Sequence, residues 1–144
     1  MKPIRILHIE DNEGDILLIS EAFEENRLLN KINVIKDGEK AISFFENLTD
    51  EEEIPDLVLL DLNLPKVNGI EVLAYIKDHE KYKTIPVIMI TTSSSEPDII
   101  RAYENHVNCY ITKPIDVSDF MIAINKIEDF WINIVTTPKN KINV

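Results

Sequence analysis

Short runs of aliphatic and β-branched residues recur along this chain, separated by stretches whose apolar positions fall three or four apart. Residues 4–9 form the first run, read as a strand, and Glu10-Asp11-Asn12 breaks it. A helix is predicted from Asp15 to about Asn26, with Ile16, Ile19 and Phe23 on one face. Residues 31–36 alternate polar and apolar side chains, which suits a half-buried strand near a sheet edge. Asp37-Gly38 marks a turn, and a second helix is predicted over residues 39–48. An acidic loop, residues 49–53, follows and is closed by Pro55. Residues 57–60 are apolar throughout, as expected of a central parallel strand covered on both faces, and the run ends at Asp61. Residues 63–69 read as a loop and residues 70–78 as a third helix. The run 86–90 is a fourth strand, ending at Thr91-Thr92 before the polar loop Ser93-Ser94-Ser95-Glu96. Pro97 suits the first turn of a fourth helix that closes near Asn105. Residues 109–112 are a short fifth strand with Lys113-Pro114 as its exit. Asp116 or Ser118 can cap the last helix, whose stripe is Phe120, Ile124, Ile127, Trp131 and Ile134.

Five strands alternating with five helices predict an α/β fold, a doubly wound parallel sheet with right-handed crossovers and helices on both faces. No internal repeat or low-complexity stretch interrupts it. Residues 1–135 are expected to form one domain. Residues 136–144 are expected to be a C-terminal extension, frayed or held by a partner, and no linker to a second domain is seen.

The 144 residues are enough for one sizeable core. At 44% hydrophobic the chain is not disordered. A net charge of −11 argues against a nucleic-acid surface, which needs clustered Lys and Arg. It leaves open a basic patch on a protein partner. No apolar run approaches the roughly 20 residues that span a bilayer. The start MKPIRILHIED has no apolar core or cleavage site of a secretory signal. Cys109 is the sole cysteine, so an internal disulfide is excluded. Together these predict a cytoplasmic protein.

The candidate chemistry lies at the strand ends. In an open α/β sheet, ligands sit beyond the carboxyl ends of the strands, so Glu10, Asp11, Asp61 and Lys113 are expected in one crevice. Crowded carboxylates repel unless a cation joins them, and Mg²⁺ takes such oxygen ligands. Zinc fits poorly, because no thiolate or imidazole is placed to compete. Glu10-Asp11 could otherwise be a polar strand exit and helix cap, and Asp61 an ordinary loop carboxylate. The Pro65-containing loop after Asp61 would hold its carboxylate and the Asn63 carbonyl in a set relation. A charged Asp61 could then attack phosphorus, with metal and Lys113 offsetting the charge on the phosphoryl oxygens. The product would be a readily hydrolysed mixed anhydride. Lys113 could equally be a surface lysine, and a cis bond to Pro114 would aim it inward. Thr91 could donate to a phosphoryl oxygen or cap the next helix, as could Thr92 or Ser93. Tyr110 could swing between exposed and buried positions or simply pack. His8, His79 and His106 share no helical spacing and read as structural, and Cys109 as a small buried hydrophobe.

The ordered set Glu10-Asp11, DLNLPKVNG from Asp61 to Gly69, Thr91, Tyr110 and Lys113-Pro114 resembles a response-regulator receiver domain over residues 4–130. The resemblance implies a flavodoxin-like (βα)5 sheet of strand order 2-1-3-4-5. It implies Asp61 as phosphoacceptor for a histidine kinase and Mg²⁺ as cofactor. Asp11, Asp61 and the Asn63 backbone carbonyl would be metal ligands, with Glu10 acting through water. Thr91 and Lys113 would bind the phosphoryl group, Tyr110 would report the switch, and Ser93 would tune its lifetime. Asn68 stands where many receivers have aspartate, outside the chemistry. The segments HVNCYITKPIDVSDF and IEDFWINIV are similar to single-domain regulators of phytochrome-type kinases. That implies a bilin-photoreceptor kinase as donor and a homodimer through the fourth helix, fifth strand and fifth helix plus the C-terminal extension. Phe130, Trp131, Ile134 and Val135 would then need covering, by a partner or by the chain's own sheet. Without an output domain the readout would be another protein or self-association, and the only enzymology its own phosphotransfer and autodephosphorylation. A haloacid-dehalogenase-like phosphatase is the rival, but it wants an acid at position 63, where Asn63 stands. A flavin or nucleotide module would want a Gly-rich cradle, and the chain has three scattered glycines.

Overall fold

The computed structural model describes residues 4–26 and 31–134. Its strands are β1 (Arg5–Ile9), β2 (Lys31–Ile35), β3 (Leu57–Leu60), β4 (Val87–Thr91) and β5 (Cys109–Thr112). They form one parallel sheet of order β2-β1-β3-β4-β5. The helices are α1 (Glu13–Asn26), α2 (Gly38–Glu46), α3 (Gly69–Asp78), α4 (Glu96–Glu104) and α5 (Val117–Glu128). The expected topology is therefore the observed one, with helix starts one or two residues earlier than the periodicity suggests.

Alternation along the strands divides the core in two. Leu7, Ile9, Val58, Leu60, Val87 and Met89 face α2, α3 and α4. Ile6, Leu57, Leu59, Ile88 and Ile90 face α1 and α5, where Phe23, Phe120, Ile124 and Ile127 meet them. β3 and β4 are buried at every position, which is why their sequences carry no polar alternation. β2 at the edge exposes Lys31 and Asn33, as its alternating pattern predicts.

Capping sets the helix starts. Asp37, Asn68, Ser95 and Asp116 accept backbone N–H groups at the starts of α2, α3, α4 and α5. Ser95 is thus the cap of α4, in place of the Thr91, Thr92 or Ser93 considered above, because the loop runs one turn further before the helix begins. Asp116 takes the α5 position rather than Ser118. The acidic loop contains a 3₁₀ turn, Glu51–Glu53, capped by Asp50. α4 ends in a Schellman motif: His106 at φ 66° donates to Tyr103 and Val107 donates to Ala102.

The stripe expected to continue α5 regularly does not. Asp129–Ile134 widens into a π-helical turn. Trp131 packs against the chain's own α1–α5 core, and Phe130 is half exposed with its ring edge-on to Trp131. Val135, residues 136–144 and the Ile134 side chain lie outside what the structure describes. No described helix is long and apolar enough to cross a membrane.

Candidate functional site

The carboxyl ends of β1, β3 and β5 deliver the acidic groups and the lysine to one place. Asp61 follows β3, and its backbone N–H donates to the Ile9 carbonyl of β1 at 3.0 Å. Glu10 is tied to the end of β2 through Ile35 at 2.9 Å. Lys113 is tied to the last residue of β4, its N–H meeting the Thr91 carbonyl at 2.7 Å. Ladder hydrogen bonds therefore set the separation of residues remote in sequence.

One carboxylate oxygen each from Glu10, Asp11 and Asp61 lies within 4.8 Å of the others. Glu10 is 1% exposed and Asp61 7%, while Asp11 stands in solvent. The Lys113 ammonium sits among them with its side chain 6% exposed, 2.6 Å from Glu10 Oε1 and 3.2 Å from Asp61 Oδ2. It also lies 2.7 Å from Asp15 Oδ2, on the first turn of α1. That residue was read above only as a helix start. The other oxygen of Asp61 accepts the Asn63 N–H at 3.2 Å. Among the described residues no peptide bond is cis, so Lys113-Pro114 is trans, contrary to the suggestion above. The four-carbon lysine stem reaches the carboxylates without the sharper backbone turn.

The charges are uneven. Burial, then a hydrogen bond with Asp61, pushes the Glu10 carboxyl up to about 8. Burial works against the Asp61 charge too, but the bond with Glu10 and the Lys113 ammonium outweigh it and hold Asp61 below the usual carboxylate range. Burial opposes the Lys113 charge, yet the bonds to Asp15 and Glu10 raise its value above that of a free lysine. The two carboxyl groups are thus pushed in opposite directions, Asp61 toward the ionised form and Glu10 toward the neutral acid. Directly beneath, His8 is buried on the same face of β1 as Glu10, and its Nδ1 finds no hydrogen-bond partner. Burial and Lys113 push it down to about 4, so it is neutral.

The loop after β4 carries the remaining expected groups. Thr91 is fully buried, and its Oγ1 accepts the Ser93 N–H at 3.4 Å. Ser93 Oγ meets Asp98 of α4 at 2.6 Å, and Tyr110 donates its hydroxyl to the Ser93 carbonyl at 2.8 Å. Ser93 thus touches the strand end, α4 and the aromatic of β5 at once. Gly69 completes the frame: a Cβ there would overlap the Asp61 carbonyl oxygen, so α3 starts directly against the backbone of Asp61.

The donor set is all oxygen, which suits a hard divalent cation, and three carboxylate oxygens within 4.8 Å of one another form a cluster rich in negative charge. The family model for the response regulator receiver domain matches residues 6–125. The chain belongs to the response regulator receiver domain family. Receiver domains are signalling modules that bind a divalent metal, and the Glu10–Asp11–Asp61 oxygens could hold one here. Response regulator Rcp1 of Synechocystis sp. is 41% identical over 138 residues, 94% of each chain. Its Mn(2+)-bound crystal structure has a TM-score of 0.88 and covers 94% of this chain and 99% of that one. The phosphorylated cyanobacterial phytochrome response regulator RcpA gives the same TM-score at 41% identity, covering 94% and 98%. The probable methanogenesis regulatory protein FilR2 of Methanothrix harundinacea is 40% identical, over 90% of this chain and 84% of its own. Membership in the receiver family sets aside the haloacid-dehalogenase reading, as Asn63 already did.

Proposed function

We propose that this receiver domain accepts a phosphoryl group from a histidine kinase on Asp61. The observation that carries the reading is the ionised, nearly sealed Asp61 carboxylate held between Lys113 and the Asn63 N–H. An Asp61 oxygen attacks phosphorus as the phosphohistidine P–N bond breaks, and the imidazole leaves. Mg²⁺, held by Asp11, Asp61, the Asn63 carbonyl and Glu10 through water, would supply charge neutralisation on the transferring oxygens. Lys113 donates to one of those oxygens, and Thr91 to another. Water later attacks phosphorus, releasing phosphate and restoring the carboxylate, so the protein's catalysis is confined to its own phosphotransfer and dephosphorylation.

Moving Thr91 inward pulls on the Ser93 N–H, and Ser93 is where Tyr110 and Asp98 are attached. Phosphorylation therefore reshapes the surface of α4, β5 and α5, and a partner preferring that surface shifts the population. Ile100, Tyr103, Ile115, Val117 and Ile122 are exposed there, which supports a homodimer through this face, extended by residues 136–144. Residues 1–135 are then the receiver proper, working in the cytoplasm. The phytochrome regulators among the relatives support a bilin-photoreceptor kinase as donor.

The test is phosphoryl uptake from a small acyl phosphate with Mg²⁺, read by intact mass. Uptake by the wild type and none by Asp61→Asn is the expected result; equal uptake by both overturns the assignment. Phosphotransfer profiling against candidate kinases tests the photoreceptor reading, and light scattering with and without phosphodonor tests the dimer.

A further inference from the structure

The Lys113 ammonium has three N–H bonds and meets three carboxyl groups: Glu10 at 2.6 Å, Asp15 at 2.7 Å and Asp61 at 3.2 Å. The two short contacts go to residues other than the acceptor. Asp15 is outside the trio of oxygens that cluster for a cation. It reaches the lysine from the first turn of α1, where an acidic side chain usually faces solvent and serves the helix dipole. Here its side chain is only 21% exposed. Its backbone is held in place as well: the Asp15 N–H donates to Asn12 Oδ1 at 3.0 Å, and the Asn12 N–H donates to Glu10 Oε2 at 3.3 Å. A short relay thus ties the start of α1 to the same carboxylate that grips Lys113.

We propose that Asp15 is a positioning residue for phosphoryl transfer, holding the Lys113 ammonium back from Asp61 while keeping one N–H aimed at it. This rests on Asp61 being the acceptor. Two consequences follow from the geometry. During transfer the N–H directed at Asp61 must turn to a phosphoryl oxygen, and the ammonium stays put only if its other two bonds persist. Without Asp15 one of those bonds is lost. The lysine then settles onto Glu10 and Asp61, and a tighter bond to Asp61 occupies an oxygen lone pair and weakens it as a nucleophile. Both effects slow uptake, and both act through Lys113.

The experiment compares wild type, Asp15→Asn, Asp15→Glu and Glu13→Gln for uptake from a small acyl phosphate with Mg²⁺, and records the Lys113 ammonium signal by ¹⁵N NMR without phosphodonor. Glu13→Gln removes the same charge from the same helix turn, at an exposed residue paired with Lys36. Loss of one charge-assisted hydrogen bond predicts about tenfold slower uptake for Asp15→Asn. The Lys113 signal is expected to broaden through faster exchange with water in that variant. Asp15→Glu is expected to restore most of the rate, and Glu13→Gln to match wild type. Wild-type uptake in Asp15→Asn, or equal slowing in Glu13→Gln, overturns the inference and leaves Asp61 as acceptor. No uptake by wild type removes the acceptor reading and the inference with it.

Discussion

Lys113 and Glu10 are 103 positions apart in the chain, yet their charged ends meet at 2.6 Å with both side chains almost sealed from solvent. Glu10 nonetheless takes up a proton near pH 8, because burial favours the neutral acid and a hydrogen bond with Asp61 adds to it, together outweighing the Lys113 ammonium. Its value lies above the ordinary 4.5, so its contribution to stability is full below pH 4.5 and is lost as pH rises through 8. His8 has the opposite slope, since its value falls from 6.5 to about 4 and stability is lost as acid forces a proton onto it. The two oppose each other from about pH 4.5 to 6.5; above that Glu10 acts, opposed toward pH 8 by Lys77, whose value burial pushes down to about 8 so that its buried charge costs less as pH rises. In chelator, unfolding free energy is expected to fall by about 1 kcal/mol between pH 6.5 and 8. Glu10→Gln should flatten that decline and expose the loss below pH 6.5 due to His8. Denaturant melts across this range measure both limbs; a decline that survives Glu10→Gln refutes the assignment.

A divalent cation should expel the Glu10 proton. At pH 7, Mg²⁺ binding is expected to release a proton and to stabilise the fold by about 1.4 kcal/mol at ten times the dissociation constant. Calorimetry in two buffers of different ionisation enthalpy reads the proton, and thermal melts read the stabilisation. Asp11→Asn should lose most of the stabilisation, since Asp11 is the solvent-facing member of the trio.

Gly69 couples the scaffold to Asp61. A methyl at this position meets the Asp61 carbonyl and the Leu62 Cα, both backbone, so it cannot be absorbed by a rotamer change. Gly69→Ala is expected to cost about 3 kcal/mol and to slow phosphoryl uptake as well, by tilting the loop that holds Asp61. Denaturant midpoints and uptake rates on the same preparation check both; normal stability with normal uptake contradicts the packing.

His106 should be improvable. It holds the left-handed position of the α4 Schellman motif at φ 66°, a conformation that a side chain disfavours. His106→Gly is expected to stabilise the fold by about 0.5–1 kcal/mol, after allowing for the greater freedom of glycine in the unfolded chain. A melting temperature unchanged or lowered would show that the imidazole makes a compensating contact.

Much of the fold was legible because burial leaves a mark on composition. Leu57–Leu60 is sealed on both faces and apolar throughout; Lys31–Ile35 is at an edge and alternates. The cluster of carboxylates with Lys113 was legible because its members sit where such runs stop. Asp15 was not, since an acid in a first helical turn looks like a dipole partner, and only its place one turn beyond Asp11 hinted at the crevice. Ser95 as the cap of α4 was hidden by four consecutive hydroxyl residues, each chemically able to do the work. The π-helical widening at Asp129–Ile134 left no trace, because Phe130, Trp131 and Ile134 fit an ordinary helix equally well.

β5 is the last of the described strands in chain order, and Lys113 at its exit supplies the cation that tempers three acids contributed by earlier strand ends and a helix. A growing polypeptide emerging from the ribosome through Thr91 already holds Asp61 but not the ammonium beside it. On the proposed reading, phosphoryl uptake would therefore wait for the closing edge of the sheet, and a product terminated before Lys113 would lack the charge that offsets the transferring oxygens.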